Sequence, residues 1–408
     1  MLSLRLRLTA HAVLLGAGLL LAAAGAAPAL ADGAGDEPLP VVSSLTPEGG
    51  GCVQPSRRKV ESTPWPQGYL GYPRAWAHTR GEGVLVAVVD TGVDATRSPA
   101  LAGRVQAGPD LDGGTDRGGG EDCAGHGTFV AGLIAAAPRA GTGFVGVAPG
   151  ARVLAIRVTG DDGVVPADRL AAGIRAAVAG GARVVAVPLA LPRGSGALTS
   201  AVAAARKAGS VVVAPAYAAP ASPGTEEKAA PAAFPAALPG VLAVAAVVPG
   251  GSPDLTVLPR TAPGIAAPGG SVMSVGPGGG HVTGSGADLA TGFVAGTAAL
   301  VAAARPDAKA PEITARIVAS AYRMPAVETG LVGAGTVDPV AAVTAPWSPA
   351  APVAPVRPVV LPPTPASRAH DTAVAVAAGV VVALAALGYT LFTVTRARRR
   401  GWRSGTGQ

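Results

Sequence analysis

The 408-residue chain contains no asparagine and only two cysteines, Cys52 and Cys123. An active site that relies on an asparagine amide therefore cannot be built from it. Two cysteines alone cannot make a four-ligand structural zinc site. Aromatic residues are 3% of the chain, so aliphatic packing has to build most of the core. Net charge is missing from the body as well. The formal charge is +7, and Arg5, Arg7, Arg396, Arg398, Arg399, Arg400 and Arg403 account for all of it, which leaves residues 32–395 neutral. The basic character belongs to the two ends, and no nucleic-acid-binding surface is implied. No internal repeat is present.

The ends carry topology instead. Residues 1–31 read as a signal peptide, with Arg5 and Arg7 at its start, an apolar run at Ala12–Ala26, and a small-residue cleavage site at Ala29-Leu30-Ala31. In an exported chain a cysteine pair points to a disulfide rather than to a redox or metal site. Cys123 lies three residues before His126, so a Cys52–Cys123 bridge ties the N-terminal extension beside that histidine. A second apolar run, Ala373–Val394, has no charge over 22 residues, enough to cross a hydrocarbon layer of about 30 Å. The arginines that follow place the tail, residues 395–408, in the cytoplasm and the body outside the membrane. Residues 346–370 hold eight prolines and are expected to form an extended, semi-rigid stalk rising about 3.1 Å per residue. Residues 32–61, rich in glycine and proline with a basic Arg57-Arg58-Lys59 patch, are expected to wrap the surface.

Between these segments, residues 62–345 are expected to fold as one α/β domain. Short valine-rich runs bounded by glycine, at 84–89, 153–158, 183–187, 210–214 and 241–247, predict buried parallel strands. Alanine-rich stretches at 126–137, 166–179, 197–208, 288–304 and 311–321 predict helices, with Pro166 and Pro311 suited to first turns. Strand and helix in alternation imply a mainly parallel sheet between two helical layers.

Three motifs bear on chemistry. Val-Ala-Val-Val-Asp90-Thr-Gly puts a carboxylate at the end of a strand, the edge where such sheets place their sites. Gly-His126-Gly-Thr opens a helix, with glycines leaving room at the imidazole. The third stretch, Gly286-Ala-Asp288-Leu-Ala-Thr-Gly-Phe-Val-Ala-Gly296, has the form of a nucleophile motif in which Asp288 stands where serine belongs. The order Asp, His, nucleophile is that of subtilisin-type proteases. In a working triad the aspartate holds the imidazole and the imidazole takes the nucleophile's proton. Asp288 has no hydroxyl proton to give, and as an ion beside His126 it favours the imidazolium, the wrong state for a base. The other hydroxyls near position 288 are Ser285, three residues upstream, and Thr291, one helical turn on, each more suited to a structural place than to nucleophile duty. After the strand at 210–214, Ala218 occupies the place of the oxyanion-hole asparagine, a donor whose loss costs on the order of 10²–10³ in rate.

With these residues in view, the chain resembles the mycosins, subtilisin-like proteases associated with type VII secretion. The resemblance rests also on Pro64-Trp65 before Ala75-Trp76, Thr79-Arg-Gly-x-Gly-Val84, Phe234-Pro-Ala-Ala-Leu-Pro-Gly-Val-Leu-Ala-Val244, Ala267-Pro-Gly269 and Val337-Asp-Pro339. It implies a subtilisin-like fold with one C-terminal membrane helix, no cofactor, peptide or protein ligands, and membrane partners in the secretion machinery. The departures at Asp288 and Ala218, and at Gly292 where the motif has proline, argue for a pseudoprotease acting as a scaffold or peptide-binding subunit. Two alternatives stand beside it. One is an active serine-type endopeptidase. The other is a divalent-metal protein in which Asp90, His126 and Asp288 converge on the ion.

Overall fold

The computed structural model describes residues 38–42, 52–113, 118–160, 164–218, 232–323, 329–346 and 368–401. The expected signal peptide, nearly all of the expected stalk and residues 402–408 lie outside the described residues. Two compact units divide after Val356.

The first unit begins with α1 (Trp65–Leu70), β1 (Leu85–Asp90), β2 (Val105–Asp110), α2 (His126–Ala135), β3 (Arg152–Arg157) and α3 (Ala167–Ala179). It continues with β4 (Val184–Ala186), α4 (Gly196–Lys207), β5 (Val211–Pro215), β6 (Val241–Val247) and β7 (Ile265–Pro268). A hairpin of β8 (Val272–Val275) and β9 (His281–Gly284) follows, then α5 (Ala287–Ala304), α6 (Ala310–Ala319), α7 (Thr329–Val332) and α8 (Pro339–Thr344). The seven strands β2-β3-β1-β4-β5-β6-β7 form one parallel sheet, in that order. Helices α2 and α5 pack together on the sheet, and α3 and α4 pair as a second helical layer. Strands covered on both faces need no polar alternation, which is why they read as unbroken valine runs. Val86, Val88, Val184, Val185, Val212 and Val213 are fully buried, each contributing about 1.5–3 kcal/mol of apolar transfer.

The expected strands lie within one residue of β1, β3, β4, β5 and β6, and the expected helices within two residues of α2 to α6. Pro166 is the N-cap of α3 rather than a first-turn residue, because its ψ of 141° is extended. Strand order reverses at β1, whose neighbours are β3 and β4. In open α/β sheets the carboxyl ends at such a switch point form a crevice, and the last residue of β1 is Asp90.

Most of the described N-terminal extension is exposed or half-buried, but two of its residues are not. Val42 and Ser56 are buried, because the segment completes hydrogen bonds that the β8–β9 hairpin leaves open. Val42 N–H donates to Thr283 O at 2.8 Å, Gly280 N–H to Ser56 O at 2.7 Å, and His281 N–H to Arg58 O at 2.8 Å. Cys52 and Cys123 form the disulfide, and Val53 N–H donates to Cys123 O beside it.

One of these clasps depends on pH. The Val60 amide donates to Nδ1 of the buried His281 at 2.8 Å, and a protonated Nδ1 cannot accept it. Burial, and then the Lys59 charge, hold this imidazole below its ordinary pKa. The native state therefore prefers the neutral ring. The contribution is present above the ordinary value of about 6.5 and is lost as pH falls through that range toward the folded value. Between pH 8 and pH 5 the wild type is expected to lose more thermal stability than His281→Asn, whose amide oxygen accepts without titrating. Equal losses would remove the clasp from the account.

The second unit is described as one helix, α9 (Arg368–Arg399). Within it Val376–Arg399 is long and apolar enough to cross a membrane, with no residue buried. The core helix α5 passes the same test of length and composition but is 89% buried.

Candidate active site

Three elements deliver the site: the carboxyl end of β1 and the first turns of α2 and α5. Helix α2 starts abruptly because Gly125 takes a left-handed φ of +78°, a conformation that costs glycine little. Gly127 is required for a different reason. A Cβ there would overlap the Gly92 carbonyl and stand 3.2 Å from Asp90 Cβ, so the helix approaches the β1 loop closely only with glycine at that position.

His126 lies between two carboxylates. Its Nδ1 is 2.7 Å from Asp90 Oδ2 and its Nε2 is 3.3 Å from Asp288 Oδ2. Asp90 Oδ1 accepts the Thr91 amide at 2.8 Å, and Asp288 Oδ1 accepts the Leu289 amide at 2.9 Å. Asp90 and His126 are fully buried, whereas the Asp288 side chain keeps 12% exposure. A carboxylate only accepts, so both ring nitrogens must donate, and the ring that satisfies both is the imidazolium. Burial by itself lowers the His126 pKa, but the Asp90 charge and the bonds to Asp288 and Asp90 outweigh it and hold the pKa well above the ordinary value. Burial pushes Asp90 upward while His126 pulls it back. The direction that geometry decides is the charged ring, since it has an anion at each end.

The sign of the linkage follows. A histidine raised by its partners stabilises the fold fully below the ordinary pKa and loses that contribution as pH rises through the folded value. Proton NMR is expected to show His126 still charged above pH 7, with Asp288→Asn lowering its titration point. A ring that titrates near its ordinary value in both proteins would contradict the ion pair.

The hydroxyls of Thr291 and Ser285 have bonding partners of their own, and position 218 lies beside Tyr217, which feels the Asp288 charge. Thr291 is buried and its hydroxyl donates to Ala287 O at 3.0 Å, one turn back along α5. Ser285 is exposed, and its Oγ accepts the Ser271 amide at 2.9 Å. Ala218 is exposed just after β5, behind a buried Tyr217 whose hydroxyl accepts the Ala246 amide at 3.0 Å. The metal arrangement fails on geometry: Asp90 and Asp288 address opposite nitrogens of one ring and do not converge on a point. Among the described residues no group of His, Cys, Asp or Glu side chains is set to hold a metal ion.

Sequence reasoning passed over Asp122. Its buried carboxylate accepts four hydrogen bonds: Thr91 Oγ1 at 2.8 Å, Gly125 N at 2.8 Å, Thr128 N at 2.7 Å and Thr128 Oγ1 at 2.6 Å. Burial raises its pKa against the pull of these donors. Thr91 adjoins Asp90, while Gly125 and Thr128 flank His126, so one side chain pins both motifs. The only signal was its place four residues before the histidine.

Residues 81–339 match the subtilase family of peptidases, Peptidase S8. The chain belongs to the subtilase family. Within that family it is mycosin-like. It is 34% identical over 391 residues to Mycosin-3 of Mycobacterium tuberculosis, covering 82% of this chain and 84% of that one. Thermitase of Thermoactinomyces vulgaris is 36% identical over 232 residues, covering 56% and 78%. Among solved structures, MycP1 with its N-terminal propeptide removed superposes with a TM-score of 0.63 at 31% identity, covering 71% of this chain and 99% of that one. The MycP3 protease from the type VII (ESX-3) secretion system gives 0.60 at 33% identity, covering 76% and 95%. This subtilase therefore keeps the family's sheet and helices around a cluster whose third member is a carboxylate.

Proposed function

We propose that this mycosin-like subtilase is a pseudoprotease, a membrane-tethered extracytoplasmic subunit of a type VII secretion assembly that binds peptide segments without cleaving them. The observation that carries the reading is the Asp288 carboxylate 3.3 Å from Nε2 of His126. A base that is already protonated cannot take a proton, and a carboxylate there has none to give. The Leu289 amide at the start of the 18-residue α5 helix is occupied by the same carboxylate, so a resident anion takes a donor at the helix terminus where anionic charge is favoured. Ala218 adds a second deficit, since a methyl group donates nothing to an oxyanion. The tether is supported by the exposed apolar Val376–Arg399 segment and its trailing arginines. The secretion role is supported by the similarity to MycP1 and MycP3.

The test challenges the full chain in detergent with a fluorophosphonate probe and a peptide library. Retained peptide binding with no labelled serine is the expected result. Labelling of Ser285 or another serine, accompanied by cleavage, would establish an active serine-type endopeptidase instead.

A further inference from the structure

Away from the Asp90–His126–Asp288 cluster, α1, the loop after β6 and the approach to α8 enclose a cleft of about 530 Å3. Tyr69, Arg74, Ser252, Tyr322, Thr336 and Asp338 line it. The chain has five tyrosines. Tyr72 and Tyr217 are buried and Tyr389 lies on α9, while the other two both face this cleft, Tyr69 39% exposed and Tyr322 68% exposed. Neither is loosely held. Tyr322 exchanges both backbone hydrogen bonds with Thr336, at 2.8 and 3.0 Å. The Tyr69 hydroxyl stands 3.5 Å from Thr336 Oγ1 and lies against Gly251, where a Cβ would overlap it. Exposed tyrosines on a fixed backbone, with an arginine beside them, are a composition typical of binding hot spots.

The chemistry of the lining selects the ligand. Phenol, hydroxyl and guanidinium groups offer hydrogen-bond donors around aromatic faces. Proline-rich backbone is the complementary partner: it lacks amide donors, keeps its carbonyls free, and pays little ordering entropy in the polyproline II form. Such a segment starts next to the cleft. Asp338, which lines it, is the N-cap of α8, and the chain leaves α8 for Pro346 with its exit fixed by Arg316, which donates to Ala342 O at 2.5 Å and also to Ala345 O. From there prolines recur every third residue, at 346, 349, 352 and 355. A polyproline II helix has three residues per turn, so in that form rings at this spacing would share one edge. The segment Pro346–Pro355 carries no charged residue, matching a cleft in which one arginine and one aspartate balance. Ten residues at about 3.1 Å each span roughly 30 Å, enough to double back past α8, which is about 9 Å long.

We propose that the Tyr69–Tyr322 cleft is a polyproline-binding site whose occupant is this chain's own segment Pro346–Pro355. Residues 347–355 lie outside the described residues, and the site itself is built wholly from described ones. The proposal goes beyond the pseudoprotease reading and does not depend on it. Photo-crosslinking of the full chain in detergent tests it, with p-benzoylphenylalanine introduced in turn at Tyr69 and at the exposed Tyr322. Adducts to residues 346–355 of the same molecule are expected, and replacing Pro346, Pro349, Pro352 and Pro355 by serine should abolish them while the melting temperature stays unchanged. Absence of adducts in that segment, or adducts that persist after the serine replacements, would overturn the proposal. Adducts found only between molecules, in a mixture of isotopically light and heavy chains, would overturn it in favour of a second copy as occupant.

Discussion

The Asp288→Ser, Ala218→Asn double variant is expected to hydrolyse peptides, while wild type and both single variants stay at background. Serine at 288 would place a hydroxyl near Nε2, which now faces a carboxylate at 3.3 Å, and would remove one of the two anions that hold His126 protonated. Asp90 would still hold Nδ1 from 2.7 Å. An amide at the exposed position 218 would supply the missing oxyanion donor, a contribution on the order of 10²–10³ in rate. Each single change leaves either charge without a donor or a donor without a nucleophile. The two should therefore combine non-additively, as members of one catalytic unit do. The loop before 218 is fixed by the buried Tyr217 and was not shaped for an amide, so the gain should remain well short of an intact subtilase. Hydrolysis by the wild type at a rate that Asp288→Ala leaves unchanged would show that the nucleophile lies elsewhere.

The largest loss of stability from one side chain in the site is expected for Asp122→Ala. Truncation strands the Gly125 and Thr128 amides and two threonine hydroxyls in a buried setting. Each buried donor left without a partner costs about 1–3 kcal/mol. A total of roughly 3–5 kcal/mol corresponds to a fall of about 10 °C in Tm for a domain of this size. Asp122→Asn should be only partly protective, because its NH2 group would face donors. His126 should move with the loss, which NMR of the imidazole would register as a changed titration. A melting temperature within about 2 °C of wild type would mean that water replaces the carboxylate, and that Asp122 is not the pin between the motifs.

Much of the fold was legible because its strands are buried on both faces and its turns are glycine-rich. What escaped has physical reasons. Strand β2 reads Val-Gln-Ala-Gly-Pro-Asp with mixed exposure; it is an edge strand, where glycine and proline are tolerated and the apolar run disappears. Strands β7, β8 and β9 have four residues each, too few to show a period. The cluster of Asp90, His126 and Asp288 was legible from motif order, because strand ends and helix starts are local features. Asp122 was not, since its role lies in donors brought from both flanks of His126 and from the β1 loop. The extension's bonds to the β8–β9 hairpin were hidden for the same reason: those partners lie more than two hundred positions away, 221 in the case of Val60 and His281.

That separation gives the molecule a timetable. At roughly 5–20 residues per second of synthesis, His281 follows Val60 by about 10–45 s. Throughout that interval the backbone groups that bond to the β8–β9 hairpin lack those partners, and the 38–42 segment waits equally long for Thr283. The extension is made among the first parts of the domain and secured among the last. A nascent chain interrupted before β9 would therefore leave the Val42 amide, the Ser56 carbonyl and the Val60 amide without their partners in and beside β9, whatever the state of its first strands, and quality control that recognises exposed backbone would find it there.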